Sequence, residues 1–278
     1  MIKTGAGTDS QQSTVNGQPS IIPIIFTLLN LICGCIAIVY LLQNGIAVIE
    51  TTASPDNPLG QQLTLLPERI YLAPLFIALA AVVDFFDGFI ARAMGATSEM
   101  GKQLDSLADV VSFGVAPAII IYQLLRLSLA KEEDGLDASM IWLLPAFILA
   151  AAAAYRLAKF NLDTRQTFAF RGTPVPSVGI AIASFPLIYW TSNTEWVLNL
   201  LTNKWFLYSV VLSLSWLMIS NIPIMSNKPK SKTIKGLLPQ LSLLVIAIIA
   251  ALLLGWMSVP VIFICFVGLS LLFKNQLE

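Results

Sequence analysis

Residues 70–94 read IYLAPLFIALAAVVDFFDGFIARAM. The stretch has no charged side chain before Asp84, and its 25 residues exceed the roughly 20 that a helix needs to cross a hydrocarbon core. It predicts a membrane-spanning helix. Its last third carries Asp84, Asp87 and Arg92. A carboxylate inside or at the edge of a span is costly, so acids placed there are expected to have a function.

The rest of the chain has the same character. Of 278 residues, 56% are apolar and 12% charged, against roughly a quarter charged in soluble domains. The expected fold class is all-α, a polytopic membrane helix bundle of about eight transmembrane helices near 21–43, 70–94, 105–128, 138–159, 176–193, 203–223, 239–256 and 258–274. The last two, separated by a turn near Ser258 to Pro260, read as two short spans or a re-entrant hairpin. Polar connections are expected at 44–69, with the turn-rich Ser54 to Pro58, and at 128–137, with Glu132, Glu133, Asp134 and Asp137. Three parts follow: a disordered tail at 1–20, a membrane domain at 21–225, and a basic loop with a terminal helix pair at 226–278. The polar, Gly/Ser/Gln-rich tail does not read as a cleavable signal.

With the N-terminus placed in the cytoplasm, 12 of the 16 basic residues fall on the inner side, including Lys228, Lys230, Lys232 and Lys235. That bias follows the positive-inside rule and puts both termini in the cytoplasm. The basic run Lys228 to Lys235 then faces anionic headgroups of the membrane lipids. Zero formal net charge argues against a nucleic-acid partner. The absence of histidine removes imidazole bases and His-ligated zinc. Cys33, Cys35 and Cys265 lie in apolar segments at no metal or redox spacing, and read as packing residues.

Carboxylates are therefore the available bases. Asp84 and Asp87, three apart, share a face near the cytoplasmic end of the second span, and Asp105 and Asp109, four apart, share one at the start of the third. A short connection makes these helices antiparallel neighbours, so four carboxylates can meet at the inner membrane boundary. Two divalent cations would cancel four negative charges, and all-oxygen ligation favours Mg²⁺ or Mn²⁺ over zinc. Such a pair suits a pyrophosphate substrate and in-line phosphoryl transfer. Gly88 and Gly101 leave room for close approach, and Arg92 can reach phosphate oxygens or brace an aspartate.

The run Asp84-x2-Asp87-Gly88-x2-Ala91-Arg92-x8-Gly101-x3-Asp105-x3-Asp109 resembles the signature of the CDP-alcohol phosphatidyltransferases at every defined position. The resemblance implies that Asp84, Asp87, Asp105 and Asp109 surround a two-metal site with Asp109 as the base. It also implies that Gly88, Ala91, Arg92 and Gly101 lie against the CDP group. The opening span, Pro23 to Gly34, looks like the family's first segment but has Ile24 where an asparagine commonly follows the proline. Thr27 and Asn30 remain candidate CDP contacts there, or hydrogen-bond a neighbouring helix. The resemblance suggests a homodimer.

Flanking residues bear on the acceptor. Asp105-Ser-Leu-Ala-Asp109-Val-Val-Ser112-Phe-Gly114-Val-Ala-Pro117, Tyr155-Arg156-Leu-Ala-Lys159-Phe-Asn161 and Phe170-Arg-Gly172-Thr-Pro174-Val-Pro176 are similar to the family's phosphatidylserine synthase branch. Asp105, Asp109 and Ser112 form a stripe expected to face the site. Arg156 and Lys159 share a helix face and can hold an amino acid's carboxylate, with Asn161 beside them. The implied reaction converts CDP-diacylglycerol and L-serine to phosphatidylserine and CMP at the cytoplasmic face of the cell's inner (plasma) membrane. Competing readings are another acceptor, glycerol 3-phosphate or inositol phosphate, whose phosphate Arg156, Lys159 and Arg165 can also bind, and a cation transporter.

Overall fold

The computed structural model describes residues 21–43, 47–50, 62–65, 68–95, 98–131, 139–162, 170–224 and 234–272. The tail at 1–20, the Ser54 to Pro58 turn, the acidic run 132–137, Arg165 and Lys228, Lys230 and Lys232 lie outside them. The described chain is helical apart from two short antiparallel pairings, Ala47–Glu50 with Gln62–Leu65 and Phe170–Arg171 with Pro223–Ile224.

The first two helices, α1 (Ile21–Leu42) and α2 (Leu72–Ala93), form the seam on which the site is built. Buried positions on α1 recur at Pro23, Thr27, Asn30, Gly34, Ala37 and Leu41, alternating four and three residues apart. On α2 they recur at Ala73, Ile77, Ala80 and Asp87 with the same rhythm. That spacing keeps one stripe of each helix facing its partner along the whole length. Thr27 touches Asp87 near one end, and Tyr40 stacks on Phe76 with ring centroids 5.5 Å apart near the other. The register is therefore antiparallel, and it brings Asn30 level with Asp84. The opposite faces expose Ile25, Leu28, Leu29 and Ile32 on α1, and Leu75, Leu79, Val82, Phe85 and Phe89 on α2. Apolar surface this continuous is stable against lipid, not water.

The third helical unit is longer than its apolar run predicts. It comprises α3 (Glu99–Asp109), a π-helical turn (Val110–Val115) and α4 (Ala116–Ala130). Ser98 caps α3 by accepting a hydrogen bond from the Gly101 amide at 3.0 Å, so the helix starts six residues before the expected 105. Hydropathy cannot see a polar, capped first turn. α4 is the central helix, buried along nearly all of its length.

Three helices approach the π turn closely. A Cβ on Gly34 of α1 would lie 2.8 Å from the Ser112 Cα, and one on Gly179 would lie 2.9 Å from the Phe113 Cβ. On the third side, a Cβ on Gly114 would lie 3.0 Å from Ala153. Small residues allow this approach where lipid offers no hydrophobic drive for helices to associate. Gly179 belongs to α6 (Val175–Thr191) and Ala153 to α5 (Ile148–Leu162).

The remaining helices are α7 (Glu195–Leu201), α8 (Lys204–Ile219), α9 (Ile234–Leu254) and α10 (Ser258–Leu272). Five described helical stretches are long and apolar enough to span, and α7 with α8, bent by 62°, makes a sixth as a broken span. The protein is a multi-pass membrane protein. Two differences from eight simple spans have physical causes. α6 has 17 residues, just short of a full crossing. Residues 240–272 form one apolar helical stretch of 33 residues, interrupted by Gly255 at φ +53°, beyond which α10 packs back on α9.

The two ends of the bundle differ in chemistry. Tyr71 pairs with Trp190 at 6.3 Å, and the Tyr208 hydroxyl donates to the Trp142 carbonyl at 2.6 Å. Tyr and Trp of this kind favour a membrane–water boundary. Asp84 and Asp87 lie 13 and 16 residues further along α2 than Tyr71, about 20 to 24 Å along the axis, so the acids sit toward the other boundary.

Candidate active site

The pocket begins where the α1–α2 stripe turns polar. Thr27 Oγ1 donates to Asp87 Oδ2 and also lies 3.1 Å from the Pro23 carbonyl. Asn30 Nδ2 donates to Asp109 Oδ1 at 3.2 Å, tying the first helix to the third. Ser112 Oγ donates to the Asn30 carbonyl at 3.0 Å. Ser112 thus secures the helix that carries Asn30, and does not join Asp105 and Asp109 in the pocket. The π turn directly after Asp109 widens the helix there, so the i, i+4, i+7 stripe drawn on an ideal α-helix does not continue to Ser112.

Three of the four aspartates come together. One carboxylate oxygen each from Asp84, Asp105 and Asp109 lies within 4.8 Å of the others. Asp109 is 6% exposed, and Asp84 and Asp105 are half-buried. Asp87 stands at the side, buried and held by Thr27, close enough for its charge to act on Asp84 and Asp105. Carboxylates this near repel by roughly 3 kcal/mol per ionised pair at an effective dielectric of about 20. A cation in their midst offsets that repulsion. The donor set is all oxygen, so the residues fit a hard divalent metal ion.

Arg156 of α5 completes the electrostatic picture. It is only 9% exposed, its charge acts on Asp109, and its Nε has no hydrogen-bond partner among the described residues. Lys159, one turn on, points elsewhere: it is exposed and donates to Asn221 Oδ1 at 2.9 Å. Asn161 Nδ2 donates to Ser106 Oγ at 2.8 Å, and its carbonyl accepts from Lys102 Nζ at 3.3 Å. The expected trio of Arg156, Lys159 and Asn161 is thus divided into one buried cation and two residues with partners of their own.

Around the rim, the exposed Arg92 folds back over Gly88, its Nη1 3.3 Å from where a Cβ would stand. Gly88 therefore makes room for the guanidinium. Ala91 is half-buried beside it, and at Gly101 the nearest atom to an added Cβ is Ser98 Oγ at 3.0 Å. Spacing does not single out Ser106, Asn221 or Thr173. Thr173 is buried ahead of α6 with Oγ1 unpartnered among the described residues. Ser106 and Asn221 acquire their roles from side-chain partners 55 and 62 residues away, Asn161 and Lys159.

A family model of the CDP-alcohol phosphatidyltransferases matches residues 20–217. The chain belongs to that family. Among curated relatives, the CDP-diacylglycerol--serine O-phosphatidyltransferase of Bacillus subtilis is 32% identical over 168 residues, covering 60% of this chain and 76% of that one. The enzyme of the same name from Mycobacterium leprae is 35% identical over 157 residues, 53% of this chain and 47% of its own. The archaetidylserine synthase of Methanothermobacter thermautotrophicus is 36% identical over 117 residues, 41% of this chain and 46% of its own. The matched family segment contains α1 to α7 and most of α8, and hence the acidic cluster, Arg156 and the residues that hold the aspartates, though not Asn221. Within that segment Asp84, Asp105 and Asp109 form an acidic cluster able to hold a metal ion.

Proposed function

We propose that this phosphatidyltransferase moves the phosphatidyl group of CDP-diacylglycerol to L-serine, giving phosphatidylserine and CMP. The observation that carries the reading is a buried arginine with an unpartnered Nε whose charge acts on Asp109, one of three clustered carboxylates. One side of the pocket suits a cation-bound pyrophosphate, and the other suits a small anionic group. Serine supplies a carboxylate for Arg156 and a hydroxyl for Asp109, and the relatives named for serine favour that acceptor.

Asp84, Asp87, Asp105 and Asp109 would hold the divalent cation, Mg²⁺ or Mn²⁺ and on this reading two ions. When bound, the ions offset the carboxylate charge and polarise the phosphoryl group. Asn30 fixes one oxygen of Asp109 and leaves the other for the serine hydroxyl proton. The serine oxygen attacks the phosphorus bearing diacylglycerol, a new P–O bond forms, and the P–O bond to CMP breaks in line. Thr27 orients Asp87, and Arg92, Gly88, Ala91 and Gly101 border the CDP group. The lipid tails stay in the bilayer among the exposed apolar faces.

In the membrane we place both termini and the pocket on the cytoplasmic side of the inner (plasma) membrane, as the 12-to-4 distribution of basic residues favours. Eight crossings result if α6 crosses and α9 with α10 forms a hairpin, and the assembly is a homodimer, as the resemblance implies. The deciding experiment is an assay of metal-dependent CMP release from CDP-diacylglycerol with serine, glycerol 3-phosphate and inositol phosphate. Turnover with serine alone supports the proposal. Turnover only with a phosphate-bearing acceptor reassigns Arg156 to that phosphate, and no CMP release with any acceptor refutes the reaction.

A further inference from the structure

α3 carries two of the three clustered carboxylates yet is poorly anchored by packing. Of its residues only Ala108 and Asp109 are buried, while Met100 and Leu107 are each 64% exposed. Its inner end is held by a small polar ring. Asn161 Nδ2 donates to Ser106 Oγ at 2.8 Å, Ser106 Oγ donates to the Lys102 carbonyl at 3.1 Å, and Lys102 Nζ donates to the Asn161 carbonyl at 3.3 Å. The ring joins α3 to the last turn of α5, and each helix carries a reacting group close by. Ser106 adjoins Asp105 in sequence, and Asn161 lies five residues beyond Arg156 on the same helix.

We propose that the Asn161–Ser106–Lys102 ring is a positioning device that sets the separation between the carboxylate cluster on α3 and the cation on α5. The inference rests on the reading of Arg156 as the acceptor's anchor and of the aspartates as the metal-holding side. Asn161 then acts through Ser106 rather than by touching serine. One Nδ2 N–H of Asn161 is engaged by Ser106 Oγ at 2.8 Å, which ties its side chain to α3. Without the ring, α3 keeps its Ser98 cap and the contact of Asn30 with Asp109, so the helix persists but Asp105 loses its tie to α5. Proximity effects make a rate sensitive to shifts of that size.

The test uses the full-length protein in detergent, with Ser106→Ala, Asn161→Ala, the double variant, Ser106→Thr, and Gln103→Ala as an exposed control on the same helix. Each alanine variant is expected to lower kcat for CMP release by roughly three- to tenfold, the range for losing one net hydrogen bond. The double variant is expected to fall no further, because both changes break the same link. Mn²⁺ binding without substrate, read by electron paramagnetic resonance, is expected to weaken in both alanine variants. Ser106→Thr, which keeps the hydroxyl, is expected to restore kcat and Mn²⁺ affinity, and Gln103→Ala to behave as native. Losses that multiply in the double variant overturn the proposal, as does a lowered Tm with kcat unchanged. So does a raised serine KM in Asn161→Ala alone with kcat intact, which marks direct serine contact. The underlying reading fails separately: Arg156→Ala with unaltered serine KM removes the acceptor anchor, whatever the cycle gives.

Discussion

Replacing Arg156 with alanine separates the two halves of the acceptor assignment, because burial distinguishes two cations that look equivalent along the sequence. Arg156 is 9% exposed with an unpartnered Nε, and Lys159 is exposed with its ammonium on Asn221. A charge-assisted hydrogen bond contributes about 1.5–3 kcal/mol where water is largely excluded. At about 1.4 kcal/mol per decade, Arg156→Ala should raise the serine KM roughly ten- to a hundredfold, with the KM for CDP-diacylglycerol little changed. Lys159→Ala removes a solvated contact of the kind that contributes under about 1 kcal/mol, and should change the serine KM by less than roughly fivefold. The assay follows CMP release against serine at saturating lipid, then repeats it with ethanolamine, which lacks the carboxylate. Native protein should use ethanolamine poorly, and Arg156→Ala should discriminate against it less. Equal use of serine and ethanolamine by the native protein would refute a carboxylate site. A Lys159→Ala effect as large as that of Arg156→Ala would refute the argument from burial.

Asp109→Asn should abolish CMP release while retaining CDP-diacylglycerol binding, because the amide keeps its shape but cannot take the proton; near-native turnover would remove Asp109 as the base. Activity should vanish in chelator and return with Mg²⁺ or Mn²⁺, and Asp84→Ala or Asp105→Ala should raise the metal concentration needed or eliminate turnover. Full activity in chelator would sink the metal reading. Gly179→Ala places a methyl group 2.9 Å from the Phe113 Cβ and 3.0 Å from its backbone, so overpacking should destabilise the bundle by about 1–3 kcal/mol. A detergent-solubilised variant with an unchanged Tm would show that the π turn yields freely.

The sequence by itself determined the helical membrane class, the positions of most spans and the acidic signature. These depend on local quantities: the length of an apolar run, the spacing of Asp84, Asp87, Asp105 and Asp109, and the cost of a charge near lipid. Thr27 and Asn30 were legible as polar residues in a span, but nothing local says that one holds Asp87 and the other Asp109. That choice depends on the antiparallel register of α1 on α2. The π turn after Asp109 escapes a periodicity argument; it packs closely at Gly34, Gly114 and Gly179, and two of those glycines are far away in the chain. It turns Ser112 toward α1. Arg156 and Lys159 share a face on any helical wheel, and only the packing of α5 encloses one and leaves the other to Asn221. Side-chain partnership across 55 to 82 residues of sequence is a property of how helices dock, and only the tertiary structure decides it.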